Sequence, residues 1–591
     1  MTSPCWRKAI HAKILPMKNR TITLEHALYG LAIALAAGYR FLHLGALPLS
    51  DYEADWALQA LQVTQGLKPA IGNNPAYVHL TAILFYIFGT TNFLARFWPA
   101  LAGSALVIAP WFLRNRIGRL PALVLAFGLV IDPGLAAMSH LAGGMMIAIT
   151  SLVLAGVLWM DRKRSIAGLF AGLALISGPS IWFGLLGLGL AWAFTSTSRK
   201  GTVPKTEKDA GDEASSTAPL SSRWKESRGA LAWGLGTLVV AGSLFMLSPK
   251  GLSGFVMSFV EFLRSWWAVS GIQLWRPLLA LPAYEILPLG FGIAGAVRGI
   301  IKRDADSIKL GVWALVALVL VFIHPGRQVS ELGWAILPLW ALTAIELSHH
   351  FDFAGRKLWE VAGVMTLVIS LSVFGWLDLA GVTTMDLTTE TARMRLYLLI
   401  AVILLMGLSL VLVGAGWSAS SARLGGVWGG VIVLTAFTVA MSTGATGLRE
   451  PLTAELWLPE PRTGRVDVML KVANQISDLN KGYTGQLPLT IQGVDSPALH
   501  WVFRDWQVTD VSPIAPDAKP EMVISWTDKL DLTADYRGEA LPLREAPDWA
   551  HATFATWLKW FVYRQMPILR QDVILWVRSD LFLDSQGIPS P

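Results

Sequence analysis

Long apolar stretches separated by short polar segments run from residue 24 to residue 443 of the 591-residue chain. A membrane-spanning helix needs about 20 apolar residues. This pattern therefore predicts an α-helical polytopic membrane protein with about 13 spans. The candidate spans lie near residues 24–46, 92–113, 118–137, 141–160, 165–178, 180–196, 229–248, 285–302, 307–324, 330–348, 357–379, 395–415 and 424–443.

Three apolar stretches are short for a crossing. The segments "SIAGLFAGLALIS" and "SIWFGLLGLGLAWAF" flank Gly178-Pro179, and proline breaks a helix. We predict two short helices that turn back at this break, and one long kinked helix is the alternative. The segment Pro75–Gly89, "PAYVHLTAILFYIFG", is about 15 residues long, and we predict that it is an amphipathic helix lying on the outer membrane face.

The distribution of positive charge predicts the orientation. Charged residues are few, 15% against about 25% in soluble domains, which also indicates a membrane protein. Lysines and arginines near Arg114, Arg162, Arg228 and Arg298 fall on the same side as the basic N-terminus, which the positive-inside rule places in the cytoplasm. An odd number of spans then puts the C-terminal part outside. These charges mark membrane topology, so we expect no nucleic-acid partner.

After residue 443 the composition changes to that of a soluble domain. Short runs such as "LPLTIQGV", "PEMVISW" and "DVILWVRSDLF" are typical of strands, and "VMLKVANQISDL" has the apolar spacing of a helix. This indicates an extracytoplasmic α/β or α+β domain. The predicted organisation is a cytoplasmic N-terminus (1–23), a transmembrane domain (24–443) with outer loops at 47–91 and 249–284 and a cytoplasmic polar loop at 197–228, and a soluble domain (444–591).

The first predicted outer loop contains "LPLSDYEADWALQALQVTQG", with three acids at Asp51, Glu53 and Asp55. Acids in the first turn of a helix interact favourably with its dipole, and Ser50 or Asp51 could be an N-cap. A carboxylate at this place could equally be catalytic. The sequence alone favours neither interpretation.

Other polar residues fall on the same predicted side. The turn "HPGRQVSELGW" carries His324, Arg327 and Gln328. Arginine near a membrane edge commonly anchors the topology, and the Asp132-Pro133 pair is typical of a turn. Further candidates on this side are Lys68, Arg96 and His140.

The order of these segments resembles the GT-C superfamily of polytopic glycosyltransferases, in particular the family of protein O-mannosyltransferases and aminoarabinose transferases. The resemblance rests on four pieces of residues 20–350. They are "SDYEADWALQALQVTQG", "NNPAYVHLTAILFYIFGTTNFLARFWPALAGSALVIAPWFLRNRIGR", "AGLFAGLALISGPS" and "HPGRQVSELGWAILPLWALTA".

This resemblance implies an enzyme of the plasma membrane that moves a sugar from a polyprenyl- or dolichyl-phosphate donor to a protein, lipid or glycan acceptor on the non-cytoplasmic face. It implies that Asp51, with Glu53 as the second choice, is the general base, or that Asp51 helps to hold a divalent metal such as Mg or Mn. The implied donor-phosphate residues are Arg327, His324 and Gln328, and the implied supporting residues are Asp132, His140, Lys68 and Arg96.

The sequence departs from the family pattern at the fourth predicted span, "MSHLAGGMMIAI". His140 stands where the family often has arginine, and Gly143-Gly144 stand where it has a further aspartate. The segment "GNNPAY" replaces the family's Glu-Lys-Pro-Pro. The alternative function is therefore a catalytically inactive GT-C-like protein that assists a flippase or a surface-glycan assembly. Secondary transport is a weaker alternative, because transporters place ionisable residues at mid-membrane and these spans are nearly uncharged.

Overall fold

The computed structural model describes residues 23–67, 69–197, 220–352, 357–449, 454–459 and 461–582. The basic N-terminus up to residue 22, Lys68 and most of the polar loop 197–228 lie outside these ranges.

The described part of residues 23–449 is helical. Its helices are α1 (Leu24–Phe41), α2 (Asp51–Thr64), α3 (Pro75–Phe88), α4 (Asn92–Leu106), α5 (Ala109–Ile117), α6 (Arg119–Ile131), α7 (Pro133–Ser139), α8 (Met145–Met160), α9 (Arg164–Leu175), α10 (Ser180–Thr197), α11 (Leu220–Gly242), α12 (Lys250–Arg264), α13 (Trp275–Tyr284), α14 (Ile286–Lys302), α15 (Ala305–Ile323), α16 (Gly333–Ser348), α17 (Leu358–Val382), α18 (Glu390–Val413) and α19 (Ala419–Ala445).

Every apolar stretch predicted from the sequence contains a helix. In the described part of the chain, four helical segments are long and apolar enough to cross a membrane, or up to six if each of two bent helix pairs counts as one span. The protein is therefore an integral membrane protein, but the predicted number of 13 spans is not confirmed.

The two short helices predicted around Gly178-Pro179 are present as α9 and α10. Gly178 has a φ of +115°, a backbone conformation that favours glycine. The helices pack mainly against different neighbours: both contact α8, but α9 also lies against α11, whereas α10 lies mostly against α15. This observation favours two helices over one kinked helix.

The predicted surface helix forms as α3, but its amphipathic character is not observed. Its side chains from Pro75 to Phe85 are almost all buried, and only its end is exposed, at Tyr86, Ile87 and Phe88. The reason is that α2, α4, α11 and α12 pack around it. Trp501, more than 400 residues later in the chain, covers Phe85 as well.

Residues 461–582 form a mixed six-stranded sheet in the order β1-β5-β6-β4-β2-β3. The strands β2, β3 and β4 are parallel, and β6 runs antiparallel to both β4 and β5. The predicted strands are confirmed as β2, β4 and β6, and the predicted helix as α20. The elements are β1 (Arg462–Thr463), α20 (Val466–Lys481), β2 (Leu489–Gln492), α21 (Pro497–Val502), β3 (Val508–Val511), β4 (Met522–Ser525), β5 (Tyr536–Pro547), α22 (Phe554–Tyr563) and β6 (Ile568–Arg578).

This sheet domain has its own apolar core and two attachments to the helices. At one attachment Trp457 and Trp560 pack into the main helical core. At the other, Ala498 and Trp501 of α21 pack into a cluster formed by α2 and α3. The second attachment brings the sheet domain onto the loop that contains Asp51.

Candidate functional site

Asp51 is the first residue of α2, and Ser50 is its N-cap. The Ser50 side chain accepts from the backbone of Glu53, and the Glu53 side chain accepts from the backbone of Ser50, which completes a capping box. The helix-start interpretation of this segment is therefore correct. It does not exclude a chemical role for Asp51, because the cap is made by its neighbours.

The Asp51 carboxylate contacts the sheet domain with both oxygens. Oδ1 accepts hydrogen bonds from the Ser496 hydroxyl at 2.5 Å and from the Ala498 backbone N–H at 3.1 Å. Oδ2 accepts from Nε of Arg544 at 2.8 Å. The Asp51 and Arg544 side chains are each about one quarter exposed, so the ion pair remains accessible.

A β-bulge places Arg544 beside Asp51. In the pairing of β5 with β6, Pro542 lies opposite Asp572 and Arg544 opposite Gln571, so Leu543 is an extra residue. Bulges of this kind redirect side chains and recur next to functional sites. Nη2 of Arg544 donates to the Asp495 carbonyl at 2.7 Å, which fixes the guanidinium at its second end.

Glu53 lies in a buried ion pair with Arg96. Nε and Nη2 of Arg96 donate to its two oxygens at 2.7 and 2.9 Å, and the Ala142 backbone N–H donates at 2.9 Å. Burial raises the pKa of Glu53, but the Arg96 guanidinium and the backbone N–H groups of Ala142 and Ser50 together more than offset this, and the pKa lies below its ordinary value. Arg96 also donates to the carbonyls of Leu47 and Pro48, so the pair holds the first loop in place.

A small polar cavity of about 70 Å³ lies next to this ion pair. His140 lines it and is buried, and no hydrogen-bond partner among the described residues reaches its Nε2. Burial, together with the positive charge of Arg96, lowers the pKa of His140 to about 4, so this imidazole is neutral at pH 7. The sheet domain closes the cavity with Arg462 and Thr463.

The glycines at the start of α8 are not equivalent. A Cβ on Gly144 would lie 1.9 Å from the Ser177 carbonyl oxygen and 2.6 Å from Oδ1 of Asn74. A Cβ on Gly143 would meet nothing closer than Tyr52, at 3.7 Å. Gly144 is therefore required by close packing, and the acid that the family often has here could not be accommodated at that position.

The residues around Asp51 do not fit a divalent metal. A carboxylate has about four acceptor positions, and three of those of Asp51 are taken by protein donors. Glu53 is committed to Arg96, and no acid can stand at Gly144. Among the described residues, no group of three or more His, Cys, Asp or Glu side chains comes together as a ligand set.

Asp132 lies at the break between α6 and α7, which are bent by 55°, and Glu285 at the break between α13 and α14, which are bent by 88°. Both side chains are fully buried. The backbone N–H of Gly134, at the start of α7, donates to Oε1 of Glu285 at 3.1 Å. Asp132 accepts from Leu135 N and from Trp340 Nε1, each at 2.6 Å. These contacts join the two broken helices, and Asp132 does not contact Asp51.

The predicted phosphate residues form a separate group. His324 is buried between Glu331, whose carboxylate lies 3.1 Å from Nδ1, and Ser265, whose hydroxyl lies 2.8 Å from Nε2. Nε of Arg327 is buried, and no described residue accepts a hydrogen bond from it. Gln328 caps the turn Val329–Leu332, which packs against α7. No hydrogen bond or ion pair joins this group to Asp51.

The contacts of Asp51 with Ser496, Ala498 and Arg544 are not predictable from the sequence. These residues follow Asp51 by 445 to 493 positions. No motif marks them, because a single arginine in a strand is commonplace. Lys68, the remaining candidate, lies outside the described residues.

A larger, apolar cavity of about 690 Å³ lies between α3, α4, α8, α9 and α11. Leu80, Trp98, Ile147, Phe170 and Trp233 are among the residues that line it. Its size and lining suit a hydrocarbon chain. It shares no lining residue with the cavity next to Glu53 and Arg96.

Neither a protein-family model nor a curated protein matches the sequence. Solved structures do match. ArnT from Cupriavidus metallidurans bound to undecaprenyl phosphate has a TM-score of 0.55 at 14% identity, and the match covers 95% of this chain and 99% of ArnT. The apo state of the same ArnT has a TM-score of 0.52 at 15% identity over 85% of this chain and 93% of ArnT.

An Archaeoglobus fulgidus oligosaccharyltransferase tethered with an acceptor peptide also matches, at 14% identity over 83% of this chain and 64% of that protein. The TM-score of this match is 0.38. The ArnT matches extend over both the helices and the sheet domain. The chain therefore shares its fold with ArnT over nearly its whole length.

Proposed function

We propose that the protein transfers a sugar from a polyprenyl-phosphate donor to an acceptor hydroxyl on the non-cytoplasmic face of the membrane, with Asp51 as the general base. The observation that carries this proposal is the fold shared with ArnT along 95% of the chain, since that protein binds undecaprenyl phosphate. The partly exposed carboxylate at the start of α2 supports it.

In the proposed step the acceptor oxygen bonds to the anomeric carbon of the sugar. The bond between that carbon and the phosphate oxygen breaks, its electron pair stays on the phosphate, and the hydroxyl proton passes to Asp51. Among the described residues, Arg544 alone donates to Oδ2 of Asp51, so this oxygen has a free position for the proton. A phosphate leaves readily, and a separate general acid is not needed.

The other candidates have supporting roles in this proposal. Glu53 and Arg96 hold the loop, because their charged groups are saturated by each other and by the backbone. Arg327 is our candidate for the donor phosphate. Its unpaired buried Nε can donate to a phosphate oxygen, and the adjoining turn packs against α7, which ends next to His140.

The test is the variant Asp51→Asn in proteoliposomes, with undecaprenyl phosphate that carries radiolabelled mannose or aminoarabinose, and with peptide and glycolipid acceptors. We expect transfer to fall at least about a hundredfold, the usual range for losing a general base. The matched control is Asp55→Asn, an exposed acid on the same helix, which should keep wild-type activity. Full activity of Asp51→Asn would exclude the proposed base.

A second function is favoured by one observation, the tight packing at Gly144, which rules out the family's further acid at this position. In this alternative the protein binds the lipid carrier without turnover and assists glycan assembly. Binding of undecaprenyl phosphate by a wild-type protein that transfers neither sugar would support it.

A further inference from the structure

We propose that Arg544 takes the place of a divalent metal ion beside Asp51, so that sugar transfer in this protein is independent of metal. This inference rests on the proposed function. It assigns to the sheet domain a positioning residue for the base, in addition to any role in binding an acceptor.

The geometry around Arg544 is that of a fixed cation. Nε lies 2.8 Å from Oδ2 of Asp51, and Nη2 donates to the Asp495 carbonyl at 2.7 Å. A guanidinium held at two ends keeps a defined orientation, as a coordinated ion does, because its donors lie in one rigid plane. Nη1 makes no hydrogen bond to the described residues and remains available for a substrate oxygen.

Two features of the fold, a β-bulge and a strand pairing, position the Arg544 guanidinium. The β-bulge at Leu543 turns Arg544 toward the helices. The strand β1 pairs with β5 at the same place, where Thr463 lies opposite Arg544 and donates to the Leu49 carbonyl at 2.6 Å. The loop and the strand are thus joined on both sides of the ion pair.

The surrounding donor set excludes a competing metal on steric and chemical grounds. Mg²⁺ requires near-octahedral coordination by oxygens, whereas Asp51 offers one free position. A second carboxylate cannot come from residue 144, where a Cβ would meet the Ser177 carbonyl at 1.9 Å. It cannot come from Glu53 either, whose oxygens accept from Arg96, Ala142 and Ser50. Each of the two carboxylates already has a positive partner: Arg544 balances the charge of Asp51, and Arg96 balances that of Glu53.

The consequence for the reaction is a division of roles. Arg544 holds the Asp51 carboxylate and balances its charge, while the free position on Oδ2 receives the acceptor proton. When the proton has passed to Asp51, the guanidinium remains charged and can stabilise the departing phosphate through Nη1.

The first experiment measures metal binding directly and does not depend on activity. The purified wild-type protein is titrated with Mn²⁺ in a calorimeter and compared with Asp51→Asn. The two proteins should behave alike, because the wild type should have no Mn²⁺ site that depends on Asp51. Arg544→Gln should show no such site either, because neither Glu53 nor residue 144 can supply a second carboxylate beside Asp51. A wild-type Mn²⁺ site that depends on Asp51 would overturn the inference.

The second experiment uses the transfer assay described above. A chelator should change the wild-type rate by less than twofold. Arg544→Gln should lower kcat about tenfold or more with a small change in KM, which a purely structural role of Arg544 would not produce, and added Mn²⁺ should not restore kcat. Arg544→Lys, which keeps the charge but not the planar fork, should be intermediate.

The matched control is Arg570→Gln. Arg570 lies in the same sheet and pairs with Glu545 at 3.2 Å, but it has no contact with the Asp51 loop. The transfer activity of Arg570→Gln should equal that of the wild type. Loss of wild-type transfer upon chelation, restored by Mg²⁺, would overturn the metal substitution and leave the proposed function intact. Absence of transfer in the wild type under all conditions would overturn the proposed function itself.

Discussion

Two acids on one helix, Asp51 and Glu53, have different capacities for chemistry. Glu53 accepts five hydrogen bonds, two from Arg96, two from Ser50 and one from Ala142. Asp51 accepts three and is about one quarter exposed. A carboxylate with all its positions occupied cannot take a proton from a substrate, so partner count separates the two acids, although in the sequence they look alike.

His140 predicts a pH dependence of stability. Its pKa is about 4 in the folded protein and about 6.5 in the unfolded chain. The unfolded state therefore binds the proton first, and stability falls as the pH decreases from 6.5 to 4. The charged groups that act on this imidazole are Arg96, Arg40 and Glu53.

The full effect is about 3 kcal/mol, from 1.36 kcal/mol per pKa unit. The measurement is thermal unfolding in detergent between pH 4 and pH 7 for the wild type and for His140→Asn. The difference in stability between the two proteins should change with pH by about this amount. A constant difference would show that His140 does not titrate as described.

At the scale of elements, the sequence predicts the helices well and their surroundings poorly. The apolar stretches are each long enough to specify a helix, and strands β2, β4 and β6 follow from their β-branched residues. The enclosure of α3 could not be predicted, because its cover includes Trp501 from the sheet domain. The contact of Arg544 with Asp51 could not be predicted for the same reason. Hydrophobic periodicity indicates which residues share a face of one element, and it carries no information on contacts across 493 residues.

The junction of α8 with the end of α9 provides a test of packing. Gly144→Ala would place a methyl group 1.9 Å from the Ser177 carbonyl oxygen, which is backbone and cannot move aside easily. We expect a destabilisation of about 1–3 kcal/mol, as for overpacking in other cores. Gly143→Ala is the matched control, because its nearest neighbour would be 3.7 Å away.

Denaturant or thermal unfolding of the two alanine variants gives the comparison. Gly143→Ala should differ from the wild type by about 0.5 kcal/mol at most. Equal stability of both variants would show that this junction relaxes freely. In that case the family's acid could be restored at position 144.

At the scale of the whole molecule, the proposed orientation can be tested by labelling. The only cysteine is Cys5, so Cys5→Ser provides a background for single cysteines. Asp161 lies after α8 on the predicted inner side and Lys529 in the sheet domain on the predicted outer side, and both are exposed. The positive-inside distribution predicts opposite accessibility for the two.

In intact cells, a membrane-impermeant maleimide should label Lys529→Cys but not Asp161→Cys, and disruption of the membrane should allow labelling of both. The reverse pattern would place the sheet domain in the cytoplasm. It would also move the proposed transfer to that side of the membrane, because Asp51 contacts this domain directly.

The position of β6 in the sheet has a consequence for biosynthesis. This strand follows the other five in the chain but lies between β5 and β4, so the sheet cannot close until it has been made. Asp51 precedes Arg544 by 493 residues, so the membrane helices have time to insert before β5 and β6 are made. The ion pair of Asp51 with Arg544 is therefore fixed in place only when the sheet is complete, after the helices that carry the first loop.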